Sequence, residues 1–189
     1  MSAMQICGGL WLAFLVVWMV WAIRTKPVQR RESVSSRFSY MFMNVAAAYL
    51  MFSSDVSRGY LRVHLFTPNS FTDALGIAIT FAGIAFAVWA RAYLGANWSS
   101  TVTVKVGHQL VRKGPYRWVR HPIYTGMTLG MLGTAIVRAQ VRGAIAVVLM
   151  YIGFKIKSKI EERMMTDSFD AEYDDYRSST GGILPKLHF

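Results

Sequence analysis

The apolar positions of this chain fall in long unbroken blocks rather than in short alternations. Residues 6–23 contain no charge at all. Four further blocks run over roughly residues 39–53, 71–93, 123–137 and 143–154. A helix needs about 20 mostly apolar residues to cross the hydrocarbon core of a bilayer. The pattern therefore predicts an all-α, polytopic integral membrane bundle of about five transmembrane helices. The last two blocks are short for full crossings, which a locally thinned bilayer or partner helices would accommodate. Gln140 and its neighbours leave only a tight link between them, so they should form a helical hairpin. No positive charge precedes the first block and basic residues follow it, the pattern of a retained helix rather than a signal peptide.

Charge then orients the bundle. Of 21 Lys and Arg residues, 17 lie between blocks one and two, between the end of block three and block four, or after block five. The other two connections hold only Arg58, Arg62, Arg138 and Arg142. The positive-inside rule places the rich side in the cytoplasm, with the amino terminus outside and the carboxyl terminus inside. Residues 24–37 read as a basic cytoplasmic loop. Residues 55–67 are mixed and suit a short interfacial helix. Regions 95–120 and 155–189 hold most of the residues able to do chemistry.

Composition narrows the function classes. The hydrophobic share is 53% and the charged share 16%, against about 25% charged in soluble domains. The net charge of +11 sits beside membrane spans, where basic residues report topology and contact with anionic lipid. No polar basic domain presents a phosphate-binding face, so no nucleic-acid partner is expected. The single cysteine, Cys7, reads as a small packing residue. The four histidines lack metal-site spacing, and no Gly-rich nucleotide fingerprint or nucleophile motif is present. Without repeats or linkers, residues 1–189 read as one domain.

Three stretches carry candidate chemistry. In the run from Gly107 to Gly126, Pro122 suits a first helical turn. That sets Arg120 and His121 at a helix mouth, where free N–H groups favour an anion. The bland alternative is an interfacial belt. In the run from Lys155 to Glu162, Lys157 and Glu161 share a helix face. Ionisable groups this close to a membrane helix are functional candidates, the alternative being a solvated helix end. Phe169, Tyr173 and Tyr176 recur at helical spacing and read as packing.

In order and spacing these stretches resemble the isoprenylcysteine carboxyl methyltransferase family, related to the membrane phospholipid methyltransferases. The matching motifs are His108 to Val111, Gly114 to Tyr116, Arg120 to Gly126 and the pair Glu161–Glu162. The tail from Phe169 to Tyr176 follows, with Asp170 where the family pattern has glycine. The resemblance covers about residues 75–186. It implies S-adenosylmethionine as cofactor, in a pocket on the cytoplasmic side. Thr101, His108, Gln109, Leu110, Val111, Tyr116, His121, Pro122, Ile123, Tyr124 and Glu161 would line that pocket. It also implies N-terminal helices over 1–70 and a catalytic core over 71–189. Partners would be the lipid bilayer and a lipophilic or lipidated acceptor, a prenylcysteine-like carboxylate above all.

Arg120 and Lys157 are the candidates for orienting an anionic acceptor. Lys157 stands where the family often has arginine, keeping the charge without the bidentate fork. Glu162 would serve as base if the acceptor were a phospholipid amine. An NADPH-dependent membrane reductase of the steroid-reductase type and a non-catalytic membrane component are the competing readings.

Overall fold

The computed structural model describes residues 1–22, 28–31, 33–56, 58–95, 98, 103–105 and 110–186. Five helices dominate: α1 (Ala3–Ala22), α2 (Val34–Phe52), α3 (Ser70–Leu94), α4 (Pro122–Arg138) and α5 (Val141–Ser179). Their number matches the five apolar blocks. Local chemistry sets their ends. Asn69 and Thr72 form a reciprocal capping box at the start of α3, satisfying donors that a helix leaves open. Pro122 occupies the first turn of α4. Ala139 closes α4 in the left-handed region (φ 52°) and Gln140, in extended backbone, precedes the first residue of α5, so the expected hairpin forms. A 3-10 turn, Gly59–Arg62, lies in the mixed connection after α2.

Two helices, α1 and α3, are long and apolar enough to cross a membrane. The 17 residues of α4 fall short in length, and the 39 of α5 run past the apolar block into charged sequence. Large apolar side chains such as Leu12, Met19, Phe42, Val45 and Phe81 stand exposed on the outside. Such a surface suits lipid rather than water.

The connections pair at the two ends of the bundle. A short strand β1 (Val28–Arg31) runs antiparallel to β2 (Thr103–Lys105), a ribbon that helical periodicity does not announce. It brings the α1–α2 connection beside the segment that follows α3. At the opposite end, Leu65 N–H donates to Ala139 O (2.8 Å) and Val141 N–H to Val63 O (3.0 Å). The α2–α3 and α4–α5 connections therefore share an end.

Glycine decides how α3 meets α4. A Cβ on Gly76 would lie 2.7 Å from Gly133 O, and one on Gly83 2.6 Å from Gly126 O. These backbones touch, in the small-residue packing of membrane helices. Beside this seam a polar cluster is buried. Trp11 Nε1–H donates to Thr134 Oγ1 (3.0 Å), and Thr80 Oγ1–H donates to Gly76 O (2.8 Å). Cys7, fully buried, packs 3.7 Å from Thr80 Oγ1, the packing part expected of it.

Past its apolar stretch α5 continues without a break to Asp170, where φ 44° and ψ −126° interrupt it. Beyond, Tyr173 and Tyr176 are buried and the chain folds back. Arg120 N–H donates to Gly181 O (2.8 Å) and His121 N–H to Gly182 O (3.3 Å). This strap fixes the segment that enters α4.

Candidate active site

The first turn of α4 and the charged half of α5 face each other just beyond the apolar stretches. Pro122 starts the helix there and Ile123 is packed in the core, which turns His121 and Tyr124 toward α5. Glu161 and Glu162 are consecutive on α5, so their carboxylates leave the helix in adjacent directions and flank His121.

The imidazole is held between them. His121 Nδ1 lies 3.3 Å from Glu161 Oε2, and Nε2 lies 3.1 Å from Glu162 Oε1. Carboxylate oxygens only accept, so each contact is a hydrogen bond when the facing ring nitrogen carries a proton, and the doubly protonated ring satisfies both. Burial works to lower the His121 pKa, but the hydrogen bonds to Glu161 and Glu162 outweigh it and raise it above 6.5. Burial alone would raise Glu162. The bonds from His121 and Arg120 win and hold it at about 2. Glu161 is also held below the ordinary carboxylate range; the pull of His121 and the Lys157 charge overcome its burial.

Arg120 supplies Nε (3.0 Å) and Nη2 (2.8 Å) to the same Glu162 oxygen. Its Nη1 donates to the carbonyls of Arg177 and Thr180, so this guanidinium ties α5 to the C-terminal strap. A carboxylate held near 2 is a weak proton acceptor.

Tyr124 donates to Glu161 Oε1 at 2.5 Å. Its ring stacks between His121 (5.6 Å, 8° between planes) and Phe154 (4.6 Å, 8°). Lys157, one turn before Glu161, is buried with Nζ 5.2 Å from the Tyr40 ring centroid and 5.4 Å from that of Tyr124. Tyr116, on the 3-10 turn Gly114–Arg117, is buried, and its hydroxyl has no partner among the described residues. Burial first, then the Glu161 charge, pushes its pKa well above 10. Its carbonyl accepts from Tyr176 O–H (2.6 Å).

Thus Arg120, His121, Tyr124, Lys157, Glu161 and Glu162 come together, with Tyr116 nearby. Pro122 and Ile123 support them as backbone and core. Leu110 and Val111 are half-buried, Val111 against the core. Thr101, His108 and Gln109 lie outside the described residues.

Motif reading did not find Tyr40, Phe154 and a groove that ends beside them. α1 leans on α3 and α4, while α2 leans on α5. Between α1 and α2 lies a cavity of about 790 Å³, floored by Met131 of α4 and by Met150 and Phe154 of α5. Its walls are apolar apart from Arg37, Tyr40, Asn44 and Lys157. Phe154 and Lys157 belong both to this groove and to the His121–Tyr124–Glu161 cluster. No motif marks the α2 residues, because a groove wall needs only apolar bulk at helical spacing.

Comparison with known proteins places this geometry. A family model described as phospholipid methyltransferase matches residues 71–172. The uncharacterized protein YpbQ of Bacillus subtilis is 41% identical over 59 residues, 31% of this chain and 35% of that one. The protein-S-isoprenylcysteine O-methyltransferase of Saccharomyces cerevisiae is 30% identical over 79 residues, covering 41% of this chain and 33% of the relative. The enzyme of the same name from Tribolium castaneum is 30% identical over 114 residues, 59% and 41%. The chain thus matches no more than about two fifths of these relatives' lengths. Among solved structures, the eukaryotic intramembrane Ras methyltransferase ICMT (isoprenylcysteine carboxyl methyltransferase) superposes with a TM-score of 0.60. That match has 24% identity and covers 82% of this chain and 54% of the other, a likeness of fold.

Proposed function

Because the chain belongs to the phospholipid methyltransferase family, we propose that it transfers a methyl group from S-adenosylmethionine to a lipophilic acceptor. The acceptor that best suits the site is the carboxylate of a prenylcysteine-like molecule. The observation that carries this reading is the union of a buried carboxylate–imidazole–phenol cluster with the cationic end of an apolar groove.

The residues suit the cofactor chemically. The rings of Tyr40 and Tyr124 already hold one cation, the Lys157 ammonium, and aromatic faces suit a sulfonium as well. Glu161, kept ionised, supplies an acceptor for an ammonium. The Tyr116 hydroxyl, buried without a described partner, is available to a polar group of the nucleoside. Thr101, His108, Gln109, Leu110 and Val111 belong to this proposed pocket through the family motif. When bound, S-adenosylmethionine supplies a methyl group activated by a positively charged sulfur.

The protein's part is then positioning and exclusion of water. Lys157 attracts the acceptor carboxylate, and a carboxylate needs no general base. The surrounding apolar walls keep water from stabilising the separated charges, and alignment of the two reactants supplies much of the acceleration. Arg120 and Glu162 hold His121 and the strap in place. The β1–β2 pairing and the excess of basic residues at that end support a cytoplasmic catalytic face, with the amino terminus outside.

Calorimetry on the protein in lipid nanodiscs tests the proposal. Saturable binding of S-adenosylmethionine without binding of NADPH, followed by label transfer to an S-farnesyl acid, is the expected result. Binding of NADPH alone would move the reading to a membrane reductase.

A further inference from the structure

Arg91, in the last turn of α3, is only 2% exposed, and no carboxylate answers its charge. Among the described residues the titratable group that acts on it is the Tyr116 phenol. A buried charge is ordinarily paired with an opposite one. Here Nη1 donates to Gly95 O (2.7 Å) and Nη2 to Trp21 O (2.9 Å). The guanidinium lies over the Trp98 and Trp21 rings, 4.3 and 5.7 Å from their centroids. Its third nitrogen, Nε, is buried and has no partner among the described residues. Position adds to this. A Cβ on Gly126 would touch Gly83 O and Ala87 N, so one turn further along this antiparallel seam Arg91 stands level with the segment that enters α4. The turn that carries Tyr116 packs there too, since a Cβ on Gly114 would meet the Tyr93 ring. Tyr116 is buried, its hydroxyl also lacks a described partner, and the charges of both Glu161 and Arg91 act on it. One anion and one cation thus flank a buried phenol.

We propose that Arg91 is a cofactor-binding residue whose Nε takes the carboxylate in the methionine head of S-adenosylmethionine. The assignment rests on the function proposed above and accounts for the half of that head which Glu161 leaves unread. The head is a zwitterion, and opposite charges on either side of Tyr116 suit its ammonium and its carboxylate. Other cations near the cluster are engaged. His121 faces Glu161 and Glu162. Arg120 is bound to Glu162 and to the carbonyls of Arg177 and Thr180. Lys157 lines the groove, on the acceptor's side. A strut between α1 and α3 would need the bonds to Trp21 O and Gly95 O alone; the open Nε is what points to a ligand. A charge-assisted bond to a carboxylate would supply the anion that Arg91 lacks, and the indole faces favour its charged form meanwhile.

The test is calorimetry in nanodiscs with S-adenosylmethionine and its decarboxylated analogue, which keeps the nucleoside, the sulfonium and the ammonium and lacks the carboxylate. Wild type should bind the intact cofactor about tenfold more tightly than the analogue, or more, the effect of one hydrogen bond between charged groups. In Arg91→Gln this preference should disappear, through lost affinity for the intact cofactor while affinity for the analogue is kept. Arg91→Lys keeps a cation without the guanidinium fork and should show a preference between the two; it carries the test if the glutamine variant does not fold. Equal weakening of both ligands would make Arg91 a strut of the fold and overturn the assignment. So would a wild-type preference in either variant, or a wild type that binds the two ligands alike. Binding of neither ligand to wild type would overturn the cofactor itself, and the part of Arg91 with it.

Discussion

Arg120 brings two of its nitrogens, 3.0 and 2.8 Å away, to one carboxylate oxygen of Glu162. Both side chains are largely out of solvent, 10% and 16% exposed. His121 shares the same oxygen, so three donors converge where one acceptor is charged. Removing the acceptor strands a buried guanidinium, which costs about 3 kcal/mol. Glu162→Ala should lower the melting temperature in detergent by many degrees, and Arg120→Lys, which loses the fork, by less. Equal melting of Glu162→Ala and wild type would mean the pair is solvated.

Glu161 should act on the cofactor and not only on the fold. Glu161→Ala should abolish binding of S-adenosylmethionine measured by calorimetry. Tyr124→Phe removes one hydrogen bond to the same carboxylate and should weaken binding by about tenfold. Unchanged affinity in Glu161→Ala would remove it from the cofactor site.

The same cluster predicts a pH profile. His121 is raised above 6.5 in the folded protein, so its stabilising charge is fully present below 6.5 and is lost as pH rises through the raised value. Glu162, lowered from 4.5 to about 2, contributes above 4.5 and loses its contribution as pH falls through about 2. Melting temperature should therefore be highest between about pH 5 and 6.5 and fall on both sides. His121→Asn should flatten the alkaline limb; an alkaline fall of full size in that variant would assign it to another group.

Asp170 adopts φ 44° and ψ −126°, a conformation glycine accepts and a side chain resists, at about 1–3 kcal/mol. Asp170→Gly should raise the melting temperature, and Asp170→Ala should not. A lower melting temperature for the glycine variant would show that the aspartate side chain outweighs its backbone.

At the α3–α4 seam, a methyl on Gly83 would meet the Gly126 carbonyl and the Gly130 backbone nitrogen. Backbone cannot step aside, so Gly83→Ala should separate the helices. Loss of the folded fraction in size-exclusion chromatography checks this. Gly8→Ala, which meets nothing within 4 Å, serves as the neutral control.

By itself the sequence determined the number of helices, the proline that opens α4 and the candidate residues that the fold brings together. Apolar blocks long enough for a bilayer admit only helices, since every backbone group must be satisfied within its own segment. Pro122 and the Glu161–Glu162 pair act through near neighbours, so their meaning is legible locally. The strand pairing of residues 28–31 with 103–105, the two-sided grip on His121 and the groove all join residues distant in the chain. Hydrophobic blocks rank every outward and inward apolar position alike, so they could not say that Tyr40 would face Lys157 or that α1 and α2 would stand apart. Close backbone contact at the α3–α4 glycines and the fold-back beyond Asp170 decided that, because packing fixes which faces meet and which gap stays open.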